Sequence, residues 1–151
     1  MNIALASPHH PQIQDLLKIH LAAMHTHTPP EFAFALDGNE LDSPQIKLFA
    51  AWDRERLMGM GALKALSDTD GEVKSMRTHP DFLRREVGAA LMEKIITAAR
   101  EAGLTALFLE TGTSEHYDAA TALYERFGFT YRPPFADYEA SQHNQFMELR
   151  L

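Results

Sequence analysis

The chain contains no cysteine among its 151 residues. That absence excludes disulfides, thiolate zinc sites, iron–sulfur clusters and a cysteine nucleophile together. Nor is there an apolar run of the roughly 18–20 residues a membrane helix requires. The start, Met1-Asn2-Ile3-Ala4-Leu5-Ala6, lacks the cationic segment and long apolar stretch of a secretory signal. Positive charge is in deficit: Lys and Arg number 14 against 21 Asp and Glu, a formal net charge of −7. So acidic a chain is a poor general partner for nucleic acid, whose phosphates need a cationic face. What remains is 45% hydrophobic and 23% charged, the balance of a globular protein. The length fits one core. The expectation is a single domain, 1–151, cytoplasmic, with no membrane partner.

Apolar spacing gives the order of elements. Residues 3–6 read as a short strand, and from Pro11 the period changes. Ile13, Leu16, Leu17, Leu21 and Met24 fall at helical spacing, predicting a helix that ends near Met24, before Pro29-Pro30. The stretch 31–45 is mixed and reads as a loop or short helix. Strands are predicted over 47–52, 57–66 and 72–78, the first two joined by the turn 53–56. Val87, Leu91 and Ile95 mark a long helix whose stop is Gly103. A buried strand over 105–110, a helix over 118–126 and a last strand over 145–151 complete the chain. The order is β-α-(loop or α)-β-β-β-α-β-α-β-β, an α/β (α+β) arrangement with no internal repeat. A nucleotide-binding α/β protein does not fit, because no glycine-rich loop follows the first strand.

The stretch 76–92 carries the chemistry. A strand passes through the basic turn Leu83-Arg84-Arg85 into a helix that begins Glu86-Val87-Gly88-Ala89-Ala90. Unpaired amides at a helix start, backed by the helix dipole, favour an anion, and small residues let a phosphate approach. Taken alone, the segment is equally a solvated basic turn before an ordinary helix.

The block resembles the acetyl-CoA-binding motif of the GNAT N-acetyltransferase superfamily, Gln/Arg-x-x-Gly-x-Gly/Ala, with the second glycine on Gly88. Leu83 stands where Gln or Arg is usual, and Glu86 where the first glycine is usual. A shifted frame, Arg85-x-x-Gly88-x-Ala90, matches the letters but displaces the loop by two residues. Leu123-Tyr124-Glu125-Arg126-Phe127-Gly128-Phe129 is similar to the family's LYE-x-x-GF signature, at the usual distance downstream. Lys74-Ser75-Met76-Arg77-Thr78 and Pro134-Phe135-Ala136-Asp137-Tyr138 further resemble a bacterial subgroup, the YsnE type.

The resemblance covers nearly the whole chain and implies a mixed, mostly antiparallel sheet of about seven strands, splayed between strands 4 and 5 and flanked by about four helices. It implies acetyl-CoA as co-substrate, held by the backbone of Met76, Arg77 and Thr78 and by residues 83–90. Tyr117 falls where many relatives carry an Asn against the pantetheine arm. Tyr124 would protonate the departing thiolate, since a thiol of pKa about 8.5 leaves readily when a phenol of pKa about 10 donates to it. Without the resemblance Tyr124 reads as a packing residue. Glu72 falls where some members carry a general base and is the base expected here; Glu110 at the end of the fifth strand is the competing base and ranks below it. Through the segment after the first helix, His25, His27, Phe32 and Phe34 would line the acceptor pocket, with Phe135 and Tyr138 as a second wall. A metal site at His25, His27 and His116 lacks further ligands, so no metal is expected.

The resulting expectation is an enzyme that moves an acetyl group directly to a primary amine of a small molecule or peptide, in a ternary complex. The net charge favours a cationic acceptor, and a last strand shared between protomers would permit a homodimer. The departures at Leu83 and Glu86 keep a second reading open, an acyl-CoA-sensing module without turnover.

Overall fold

Strand β2 (Ile46–Asp53) shows how the layers form, because it is buried on both faces. Leu48 and Ala50 pack with Ile13, Leu16 and Leu17 of helix α1 (Pro11–His27), while Phe49 and Ala51 join Leu91, Met92 and Ile95 of helix α3 (Val87–Glu101). A central sheet with helices on both faces follows from that double burial. The computed structural model describes all 151 residues. Its sheet has seven strands in the order β1-β2-β3-β4-β5-β7-β6. They are β1 (Asn2–Leu5), β2, β3 (Arg56–Ala65), β4 (Asp70–Thr78), β5 (Ala106–Gly112), β6 (Thr130–Arg132) and β7 (Asn144–Arg150).

Every neighbouring pair is antiparallel except β4 with β5. Those two pair only from Asp70–Glu72 to Ala106–Phe108 and then part, although both continue for several residues. The expected splay is therefore present, and it opens a cleft whose walls are backbone and side chains of two diverging strands. β7 pairs with β5 on one side and β6 on the other. The last strand thus completes its own sheet instead of offering a free edge to a second protomer.

Local sequence explains the ends of the helices. α1 starts with His10 as cap, its Nδ1 accepting from the Gln12 amide, and Pro11 at the first position. It runs one turn beyond Met24, so His25 and His27 lie on the helix rather than in a following loop. The residues Pro29 and Pro30 stop it, not the loss of apolar period at Met24. α3 ends in a Schellman motif: Gly103, at φ +82°, donates to the Arg100 carbonyl, and Leu104 to Ala99. α4 (Asp118–Arg126) ends the same way at Gly128. The mixed stretch holds a 3-10 turn (Pro30–Phe32) and a one-turn helix α2 (Gly38–Leu41), the latter fixed by a capping box between Asp37 and Glu40.

One close approach sets the site. A Cβ at Gly59 of β3 would lie 2.8 Å from Val87 Cγ1 and 3.0 Å from the Arg77 carbonyl oxygen. Glycine there lets the first turn of α3 settle directly on β3, which brings the helix start beside the end of β4.

Candidate active site

The helix start comes first. Glu86 caps α3 with a left-handed backbone, φ +60°, a conformation that glycine adopts without strain and other residues rarely do. This is the place of the motif's first glycine, so the structure supports the frame that puts the second on Gly88. No side chain caps the helix. Its first amide bond runs from Ala90 to the Glu86 carbonyl, leaving the amides of Val87, Gly88 and Ala89 unpaired. The Glu86 carboxylate does not cover them, because it turns outward to Arg126 at 2.8 Å. Arg84 and Arg85 are exposed beside the turn, and Arg85 stacks over Phe82. Unpaired amides, two cations and a carboxylate drawn aside fit a pyrophosphate.

The cleft between β4 and β5 encloses a cavity of about 430 Å³. A bulge shapes its β4 wall. The β3–β4 register slips between Met60 and Ala62, and Ser75 lies at φ +56°. The extra residue turns Met76 back into the core against α3, and Arg77 faces the same side as Glu72 and Lys74. Ser75 Oγ is buried against the cavity without a hydrogen-bond partner.

Two carboxylates stand in the cleft in different surroundings. Glu72 is 2% exposed, and one of its oxygens accepts from both Lys74 Nζ (3.1 Å) and the Tyr138 hydroxyl (2.6 Å). Lys74 also reaches the Tyr138 oxygen at 2.8 Å, which closes a buried triangle. Burial and then Glu72 push the Tyr138 phenol well above its ordinary range. Glu110 has no cation in contact. Asn144 Nδ2 donates to it, and burial, only partly offset by that bond and by Lys74, pushes its carboxyl up to about 7.

Tyr124 lies between these walls on α4, 7% exposed, its hydroxyl without a hydrogen-bond partner. Burial, reinforced by Glu110 and opposed by Arg77, pushes it up to about 12. Tyr117 behaves otherwise. Its hydroxyl bonds the Thr28 hydroxyl at the end of α1, and its ring lies across Gly112, where a Cβ would overlap it. Tyr117 thus presents ring, not hydroxyl, to the cavity.

Of the residues singled out from sequence, Glu72, Met76, Arg77, Thr78, Leu83, Gly88, Glu110, Tyr117, Tyr124 and Phe34 meet at this cavity. Val87 and Ala89 are core residues, with Ala90 behind them on the helix. Phe34 stacks edge-on to Tyr138. The cavity does not include His25, which is exposed on α1, or Phe32, whose ring meets His143. Phe135 is buried with Phe108 and Phe146 behind Tyr138. His27 reaches the cavity only through His116, on which it stacks with centroids 3.7 Å apart. The sequence reading missed Lys74, His20 and Asn144. Lys74 follows Glu72 at the same-face spacing of a strand, a signal that could have found it, whereas His20 and Asn144 come from α1 and β7, where no local pattern links them to the site.

A model of the Acetyltransferase (GNAT) family matches residues 13–129, and the chain belongs to that family. It is an N-acetyltransferase of the YsnE-like group. It is 42% identical over 142 residues to YedL of Escherichia coli (strain K12), covering 94% of this chain and 89% of that protein. With YsnE of Bacillus subtilis (strain 168) the identity is 41% over 140 residues, covering 93% of each. Both are described as uncharacterized N-acetyltransferases. A Klebsiella pneumoniae structure described as an acyl-CoA N-acyltransferase superposes with a TM-score of 0.85 at 27% identity, over 99% of this chain and 97% of that one.

Proposed function

We propose that this chain transfers the acetyl group of acetyl-CoA directly to a primary amine, with Glu110 as general base and Tyr124 as general acid. The carrying observation is that both line one cavity, Glu110 with no cation in contact and Tyr124 with its hydroxyl unpartnered; burial pushes the carboxyl up to about 7 and keeps the phenol protonated. Acetyl-CoA supplies a thioester whose carbonyl carbon accepts the amine nitrogen and whose sulfur leaves. The unpaired amides of residues 87–89, with Arg84 and Arg85, hold its phosphates, and the free edge of β4 beyond Glu72 holds its arm.

The protons balance as follows. An acceptor ammonium gives one proton to Glu110 and through it to water, because a protonated amine has no lone pair for attack. The nitrogen loses a second as the C–N bond forms. Tyr124 delivers one proton to the sulfur as the C–S bond breaks and is restored by the proton the nitrogen releases. Glu110 is favoured over Glu72 because Lys74 and Tyr138 already occupy the Glu72 oxygen, and a carboxylate held by a buried cation is a weak base.

Calorimetric titration with acetyl-CoA, followed by a free-thiol assay over a panel of amines, tests this. Binding with amine-dependent thiol release is the expected result; binding without release on any amine would favour a sensing module. Tyr124→Phe should lower kcat about 100-fold with acetyl-CoA affinity unchanged, and full activity in that variant would remove Tyr124 as the acid.

A further inference from the structure

The charged groups around the cavity are not all paired. Glu72 and Lys74 neutralise each other, and Glu110 is held by a neutral amide. Arg77 is left over. It is half-buried, lines the cavity and has no carboxylate within 4.0 Å. Its one side-chain bond runs from Nε to His20 Nδ1 at 2.9 Å.

His20 cannot serve as a counter-ion. It is 6% exposed on α1, and burial, followed by the Arg77 charge, lowers its pKa to about 3. It therefore accepts as a neutral imidazole, which fixes the direction of the guanidinium without cancelling its charge. Both Nη groups, with four N–H donors, are left without a protein partner. A guanidinium partly withdrawn from water with no anion opposite is unfavourable until a ligand supplies one, and its planar fork matches a carboxylate.

Position separates this anion from the phosphates of the co-substrate. The amides and arginines at the α3 start lie on the face of the sheet that α3 covers, whereas the β4 bulge turns Arg77 to the α1 face, beside His20 and Met24. Tyr124 lines the same cavity and feels the charge of both Arg77 and Glu110. Arg77 and Glu110 line the same cavity, so an acceptor whose nitrogen meets Glu110 can present an anionic group to Arg77. Met24 and Phe34 offer apolar surface on this side, beside His116 and Tyr117.

We infer that the acceptor is a free amino acid with an apolar side chain, whose carboxylate is bound by the two Nη groups of Arg77 while its amine is presented to Glu110. This rests on the amine-acetylating reading above. The preference suggested by net charge does not carry into the cleft: the chain is acidic, but Arg77 stands there as a cation with no carboxylate in contact.

The test compares phenylalanine, phenylalaninamide and phenethylamine as acceptors, reading thiol release from acetyl-CoA. Phenylalanine should exceed the other two by about 100-fold or more in kcat/KM, because they leave the guanidinium unmatched. Arg77→Gln should erase most of that difference by raising the phenylalanine KM, with the acetyl-CoA KM within about twofold of wild type; Arg77→Lys, keeping charge without the fork, should fall between. Equal or better turnover of phenethylamine by the wild type overturns the inference while leaving amine acetylation standing. So does an Arg77→Gln defect confined to the acetyl-CoA KM. If no amine releases thiol, the acetylation reading fails separately and Arg77 is read by binding alone. N-acetylphenylalanine should then raise the Tm of the wild type and not of Arg77→Gln, and no shift in either overturns the inference.

Discussion

The two walls of the cleft carry the same functional group in opposite states. On β4, Glu72 is locked by a lysine and a tyrosine; on β5, Glu110 is hydrogen-bonded by an amide and has no cation in contact. Their strands pair for three residues and then separate, so the difference arises within a few ångströms of a shared origin. A buried carboxylate beside a cation is held ionised and serves structure. Without the cation it resists ionisation and becomes available to carry a proton near neutral pH. Neighbours, not residue type, divide the labour.

The sharpest way to break this contrast is Glu110→Gln. It should lower kcat/KM about 100-fold or more, and the rate increase that the wild type shows as pH rises through about 7 should vanish from the pH profile. Were Glu72→Gln to do this instead, the two walls would have exchanged roles. Glu72→Gln should mainly damage stability. It strands the Lys74 ammonium in a site where both side chains are under 10% exposed, a loss of about 3–5 kcal/mol in urea unfolding.

A smaller effect separates the walls by pH. The folded-state pKa of Glu110 is raised from 4.5 to about 7, so the folded protein holds a proton that the unfolded chain has released. That contribution is fully present below about 4.5 and is lost as pH rises through about 7. Glu110→Gln should accordingly gain Tm relative to wild type between pH 5 and pH 8, and a constant difference would place the raised pKa elsewhere.

The smallest effect lies at the mouth of the cleft. Glu86→Gly relieves a left-handed backbone worth about 1–2 kcal/mol and gives up an exposed ion pair worth under about 1 kcal/mol. Tm should change little, while acetyl-CoA should bind several-fold more tightly by calorimetry once the carboxylate is gone. Weaker binding would mean that the Glu86–Arg126 pair itself shapes the phosphate site.

The mouth was legible because its parts are contiguous. The small residues of the α3 start, the arginines before it and the glycine stops at Gly103 and Gly128 act within a few positions of one another, where period and capping can be read directly. The end of α1 was misplaced by a turn because apolar spacing fades at Met24 while the backbone continues helical to His27. His25, His27, Phe32, Phe135 and Tyr138 were expected at the acceptor wall and do not line the cavity, since proximity along the chain does not fix which face a side chain takes.

The sequence by itself determined the layers and the small-residue start of α3, and through the family resemblance it singled out Tyr124 and set Glu72 ahead of Glu110. Local forces act there: apolar periodicity, capping and backbone preference. Only the tertiary structure decided which carboxylate keeps a cation and where Arg77 points. Tyr138 reaches Glu72 across 66 positions and His20 reaches Arg77 across 57. Burial and charge pairing depend on those distant partners, and a one-residue bulge in β4, invisible to hydrophobic period, turns the guanidinium to the face where an acceptor can meet it.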